Sequence, residues 1–249
     1  IFLALLFISG EIIARWVLGL GTPPLSVIHP TIEYMFKPNQ NVMRFHNHFI
    51  INQYGMRSEP FSETKEDKNQ FRMMVFGDSV INGGNLTDHD QLATTILQKK
   101  FVDCFKKPVV VGNISAGSWG PGNYLAYVQE YGFFDADVIV LVISSHDYAD
   151  NPTFEPLNPD THPTKAPLLA ISEAITRYLP RYLPWRNSTT NDVVEKNNKP
   201  TTASIDQGLK SLRGFLDLAI HSGAKVYVIQ HWTQRDLAQR KADEGNQMI

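Results

Sequence analysis

The sequence predicts a three-layer α/β/α fold around a mainly parallel sheet, preceded by an N-terminal helix and a small β-rich decoration. Three observations predict it. From residue 71 onward, apolar strand-like runs alternate with amphipathic helical runs, the pattern of a parallel sheet covered on both faces. One of these runs, Val138 to Ile143, is apolar throughout, as a strand buried on both faces requires. The 249 residues are 43% hydrophobic and 19% charged, enough to bury a large core and incompatible with a disordered chain.

Residues 1–21 read as an apolar helix. The first ten residues are apolar and are followed by Glu11 and Arg15, spaced to pair on one helix face. Pro23 and Pro24 close it. Ten apolar residues are too few for a bilayer, which takes about 20. Two readings fit: the end of a membrane anchor whose beginning lies outside this sequence, which is the expectation, or the N-terminal helix of a soluble domain. Residues 22–70 form the decoration, with short strands at 34–37, 42–45 and 48–52 separated by turn residues, then a charged link at 63–69.

The main domain spans residues 71–249. Residues 72–76 are its first strand, leading directly into Gly77, Asp78 and Ser79. Residues 87–90 resemble a capping box and open a helix to about Cys104. Residues 108–112 are the second strand. Pro121 suits the first turn of the next helix, and Gly132 can end it. Residues 137–143 are the third strand. Residues 152–186 hold seven of the fifteen prolines and read as an insertion or lid. Residues 204–222 form an amphipathic helix with Ile205, Leu209, Leu212, Leu216 and Ile220 on one stripe and Gly223 just past its end. Residues 225–229 are the fourth strand.

Charge and cysteine content narrow the function classes. Twenty-three Lys and Arg against 25 Asp and Glu leave a net charge of −2, which argues against a phosphate-backbone partner, so no nucleic acid is expected. Cys104 is alone, which excludes an internal disulfide and a cysteine-rich zinc site.

The chemistry gathers in three loops at the carboxyl ends of consecutive strands, where parallel sheets bind ligands. Ser79 stands after the first strand, with backbone N–H groups at the start of the next helix free to stabilise an oxyanion. Residues 113–120 follow the second strand, and Gly117 and Gly120 let that backbone approach a substrate. Ser144, Ser145, His146 and Asp147 follow the third. No loop matches a glycine-rich phosphate cradle, so a nucleotide binder fits poorly.

Together these loops resemble the SGNH (GDSL-type) hydrolase superfamily over roughly residues 70–230. The resemblance implies a flavodoxin-like fold with Ser79 as nucleophile and no metal or organic cofactor. Asp78, in the same block, and Asp147 are implied site residues. Alignment on Asn113 puts Ser118 where the family has a glycine whose N–H serves the oxyanion hole, with Gly117 and Gly120 as neighbouring alternatives. The third block departs from the family's Gly-x-Asn-Asp: His146 replaces the asparagine, and an imidazole N–H can donate the same bond. The family's closing Asp-x-x-His is not found after His231; the expectation is that it lies beyond Ile249, with His231 or His146 as the alternative base. Asn52 to Arg57 looks like membrane-anchored bacterial members of surface-polysaccharide systems. The implied protein is a membrane-anchored, periplasmic enzyme acting on a small-molecule or glycan ester. The alternative is an inactive glycan-binding module of the same fold, with Trp119, Tyr124, Tyr148 and Trp232 as candidate stacking rings.

Overall fold

The computed structural model describes residues 2–182 and 200–249. Helix α1 (Phe2–Ile12) continues as a π-helical turn at Ile13–Val17. Two antiparallel hairpins follow: β1 (Ser26–His29) with β2 (Glu33–Phe36), then β3 (Gln40–Arg44) with β4 (Asn47–Ile51). Strand β5 (Phe71–Gly77) runs into the short helix α2 (Ser79–Asn82). After it come α3 (Ala93–Phe105), β6 (Val109–Ser115), α4 (Pro121–Tyr131) and β7 (Val138–Ser144). The chain ends with α5 (Ala170–Glu173), α6 (Thr202–His221), β8 (Lys225–His231), α7 (Gln234–Gln239) and α8 (Glu244–Met248).

The main sheet has the order β6-β5-β7-β8 and is parallel throughout. The chain moves from β5 to one side, then returns to place β7 on the other. The loops after β5 and β7 therefore diverge, which opens a crevice at the carboxyl ends of the strands. Strand alternation assigns the two faces. Met74, Phe76, Ile139, Leu141 and Ile143 face α4 and α6, where Tyr124, Tyr127 and Phe215 complete the larger core. Val75, Val111, Val138, Val140 and Val142 face the other way, with Phe101 of α3 packed against them. The decoration joins the larger core through Ile32, Tyr34, Met35 and Met56.

Several elements differ from expectation, each for a physical reason. The helix expected from residue 87 begins at Ala93. Asp88 instead caps a 3₁₀ turn, His89–Gln91, and its carboxylate accepts the Asp90 N–H and the His48 N–H, which tethers this loop to β4. Strand β1 has no counterpart among the expected strands, and the helix that opens at Ser79 is a single turn. On α6 the buried face runs through Gly208, Ser211, Leu212, Phe215 and Ala219, and Ile220 is exposed. Small residues set this rotation: a Cβ on Gly208 would stand 2.3 Å from the Tyr148 carbonyl. Trp119 and Tyr124 are core residues, 1% and 0% exposed, so they offer no face to a sugar. The insertion at 152–182 is docked on the decoration: Ser26 N–H donates to the Pro163 carbonyl, and Glu33 accepts from the N–H groups of Thr153 and Phe154. Residues 183–186 of that insertion lie outside the described residues.

The membrane anchor is also corrected. Among the described residues, no helix is long and apolar enough to cross a membrane. Residues 2–17 form one continuous helical segment. Within them Glu11 pairs with Arg15 at 2.8 Å and also accepts the N–H groups of Ala170 and Ile171, which ties the helix to α5. The membrane attachment and the periplasmic placement inferred with it are withdrawn.

Close approach at Gly208 generates a test. Gly208→Ala is expected to destabilise the protein by about 1–3 kcal/mol, because the added methyl meets backbone that has no room to yield. A lower urea midpoint with an unchanged slope measures it.

Candidate active site

The site begins with β5. Its last residue, Gly77, delivers Asp78 as the N-cap of α2, and the Asp78 carboxylate accepts the Val80 N–H at 2.8 Å. This cap turns the chain sharply and leaves Ser79 exposed at the first position of the helix. Ser79 opens onto a cavity of about 160 Å³ between the main domain and the decoration. Ala116 and Gly117, from the loop after β6, line the same cavity. So do Asn82 of α2, Tyr34 of β2, and His162 and Arg177 of the insertion.

The loop after β6 is held from several sides. The Tyr34 hydroxyl donates to the Gly117 carbonyl. Asn82 Nδ2 donates to the Ser115 carbonyl at 3.3 Å. Ser118 is exposed and has φ of 60°, in the left-handed region that favours glycine. Gly120 is buried: its N–H donates to Asn123 Oδ1, and a Cβ there would stand 2.4 Å from the Asp150 carbonyl. Gly120 thus packs the second loop against the third, while Gly117 faces the cavity and has open space where a Cβ would stand.

The third loop is coupled to the first through charge. Ser144 Oγ donates to Asp78 Oδ2 at 2.8 Å, and Asp147 accepts the Ser144 N–H at 2.9 Å. His146 Nε2 lies 3.4 Å from both Asp78 Oδ2 and Asp147 Oδ1. Both carboxylates are fully buried, and the imidazole is largely exposed. Pairing with Asp78 raises the His146 imidazole from its ordinary 6.5 to about 9, against the opposing effect of burial. Burial alone would raise Asp78; its bonds from His146, Val80 N–H and Ser144 outweigh this and hold it below the ordinary range. Burial pushes Asp147 upward and Asp150 up to about 6. The ligand atoms of Asp78, His146 and Asp147 lie within 4.8 Å of one another, close enough to share one cation. The proton on His146 already supplies a positive charge between the two carboxylates.

The structure thus brings Ser79 and Gly117 together at the cavity, with Ser118 next in the chain. Asp78, His146 and Asp147 form the support directly beneath. Among the described residues the Ser79 hydroxyl has no hydrogen-bond partner. His231 ends β8, opposite Ser144 of β7. Its strand is two removed from β5, a backbone separation of roughly 10 Å. Four cavity residues were missed in the sequence. Asn82 was legible in principle, one helical turn after Ser79. Tyr34, His162 and Arg177 come from segments with no periodic relation to Ser79.

The sign of the His146 shift sets a pH window. A raised pKa means that the folded state favours the imidazolium. Its contribution to stability is complete below about 6.5 and is lost as pH rises through about 9. An NMR titration of the His146 ring is expected to give a midpoint near 9, falling toward 6.5 in Asp78→Asn. Comparison of the chain with protein-family models and with curated proteins finds no match to either.

Proposed function

We propose that the protein is a serine ester hydrolase or acyl transferase of the SGNH type, built on a flavodoxin-like core and working through an acyl-enzyme on Ser79. One observation carries the reading: an exposed serine at the carboxyl end of a central parallel strand opens onto a cavity that the loop after the next strand also lines. Two features support it. Ser118, at the family's glycine position, adopts the backbone conformation that glycine favours. Asp78, beside the serine, is bonded to Ser144 and His146, so the first and third blocks are mechanically joined.

In this reading Ser79 Oγ attacks an ester carbonyl and its proton passes to a base. The developing oxyanion is held by the N–H groups of Ser79 and Ser118. His146 adds a positive charge on the same side, and its raised pKa keeps it a donor rather than an acceptor at neutral pH. The alcohol leaves with a proton. The acyl group then passes to water or to a sugar hydroxyl, O-acyl groups of a surface polysaccharide being the substrates the resemblance suggests. Loss of one such oxyanion donor lowers rates by about 10²–10³.

A second reading has its own observation. Among the described residues no histidine is bonded to Ser79, and His146 holds its proton at neutral pH. A binding module of the same fold, holding a glycan without cleaving it, needs neither.

Hydrolysis of 4-nitrophenyl acetate by the full chain separates the two. The esterase reading expects turnover that falls at least 10³-fold in Ser79→Ala, and labelling of Ser79 by a fluorophosphonate. Turnover that survives Ser79→Ala overturns it. Absence of both turnover and labelling transfers the assignment to the binding module.

A further inference from the structure

The Ser79 cavity carries one formal charge that the ester chemistry does not use. Among the described residues lining it there is no aspartate, glutamate or lysine; Arg177 is the single charged side chain. Burial lowers the pKa of His162, on the same wall, so at neutral pH this histidine adds no charge to oppose or match that of Arg177.

Arg177 pairs with a carboxylate that it shares with a second arginine. Its nearest carboxylate is Glu173, one turn earlier, at 3.2 Å from Nη1. Glu173 is already satisfied from elsewhere: Arg44 donates through Nη1 at 3.0 Å and Nη2 at 2.6 Å, and the Gly21 N–H donates at 2.8 Å. Arg44 is fully buried, and its Nη2 also donates to the Tyr178 hydroxyl. Arg44 is therefore the structural partner of Glu173. Two guanidinium groups stand against one carboxylate, which leaves a surplus positive charge on the member that reaches the cavity. Arg177 Nε is buried with no hydrogen-bond partner among the described residues, an unmet donor on a group that presents five in a fixed fork.

The space around Arg177 fits a ligand larger than a simple acyl group. A second cavity of about 170 Å³ shares Pro23, Pro163 and Arg177 with the first, and Asp160, Lys165 and Glu173 lie along it. Arg177 thus lines both hollows, with Ser79 on the wall of the first.

From this we infer that Arg177 is the anion-recognition residue of the Ser79 cavity, and that its ligand carries a carboxylate, sulfate or phosphate group. A guanidinium whose carboxylate is shared with Arg44, set in a partly desolvated pocket, matches the paired oxygens of such a group. The further statement that this ligand is the ester substrate rests on the Ser79 reading; the anion subsite itself does not.

Binding is therefore tested without turnover. Glucuronate, glucose 6-sulfate and glucose 6-phosphate are each titrated calorimetrically into the full chain beside neutral glucose. The expected result is that at least one of the three binds ten-fold or more tightly than glucose, and the one that does names the anion. Arg177→Gln should abolish the preference, and Arg177→Lys should restore part of it. Asn85→Asp places a negative charge on an exposed residue of the same cavity and should reduce the preference with Arg177 intact. That variant keeps the test decisive if Arg177→Gln fails to fold. Equal affinity for glucose and all three anions overturns the inference, as does a preference that persists in Arg177→Gln and Asn85→Asp. Anion preference in a chain without esterase activity refutes the Ser79 reading and leaves the subsite standing; turnover without preference does the reverse.

Discussion

The architecture around the site depends on one buried cation, Arg57. Its guanidinium is fully buried and donates to the carbonyls of Asn82, at the end of α2, and of Gly84 and Thr87 in the loop that follows. Its face lies 3.7 Å from the centre of the Phe49 ring in β4. The helix carrying Ser79 is only four residues long and has no length over which to stabilise itself. Its far end is fixed instead by an arginine from the decoration. Taking a guanidinium out of water is costly unless its donors are met, and here the carbonyls of an otherwise unsupported loop meet them.

The turn that delivers Arg57 is built to match. Asn52 Oδ1 accepts the N–H groups of Tyr54 and Met56, and Gly55 takes φ of 70°. A Cβ on Gly55 would stand 2.2 Å from the Met35 side chain, so this turn and β2 are mutually fitted. The turn from Asn52 to Arg57, within the decoration, is thus a structural brace for the Ser79 loop. The decoration also contributes Tyr34 directly to the cavity wall. The same logic operates at the other wall, where Arg44 of β3 holds Glu173 of the insertion. Two buried arginines of the decoration therefore join the parts of the chain that enclose the cavity.

Beneath the serine, a second set of polar groups joins the first loop to the third. Asp78 caps α2 and receives Ser144 and His146 from the loop after β7. A capping carboxylate at that position is satisfied by local backbone alone; here its second oxygen is given to the neighbouring strand. That bond fixes the spacing of the β5 and β7 loops across the crevice, and it keeps the imidazole charged. Gly120 and Gly208 let the second loop and α6 close on the third loop from either side, each at a distance that only a missing Cβ permits. The loop bearing His146 is therefore clamped on both flanks.

Apolar periodicity is a local property, and it determined the alternation of strands and helices, the parallel sheet and the positions of Ser79, Gly117, Ser118 and His146 at strand ends. Pro121 and Gly132 bound α4 as their backbone preferences dictate. Where the signal was weak, the expectation drifted. Strand β1 is too short to show a clear period, and the buried face of α6 sets glycine, serine and alanine beside Leu212 and Phe215 instead of a continuous stripe of large residues. The apolar start suggested a membrane span, whereas the structure folds it as a short helix that uses Glu11 to cap α5. Only the tertiary structure decided which distant segments enclose the serine. Tyr34 and Arg177 are 45 residues before and 98 residues after Ser79 in the chain. They reach its cavity because buried arginines and their partner oxygens, scattered singly along the sequence, find each other only when the chain is folded.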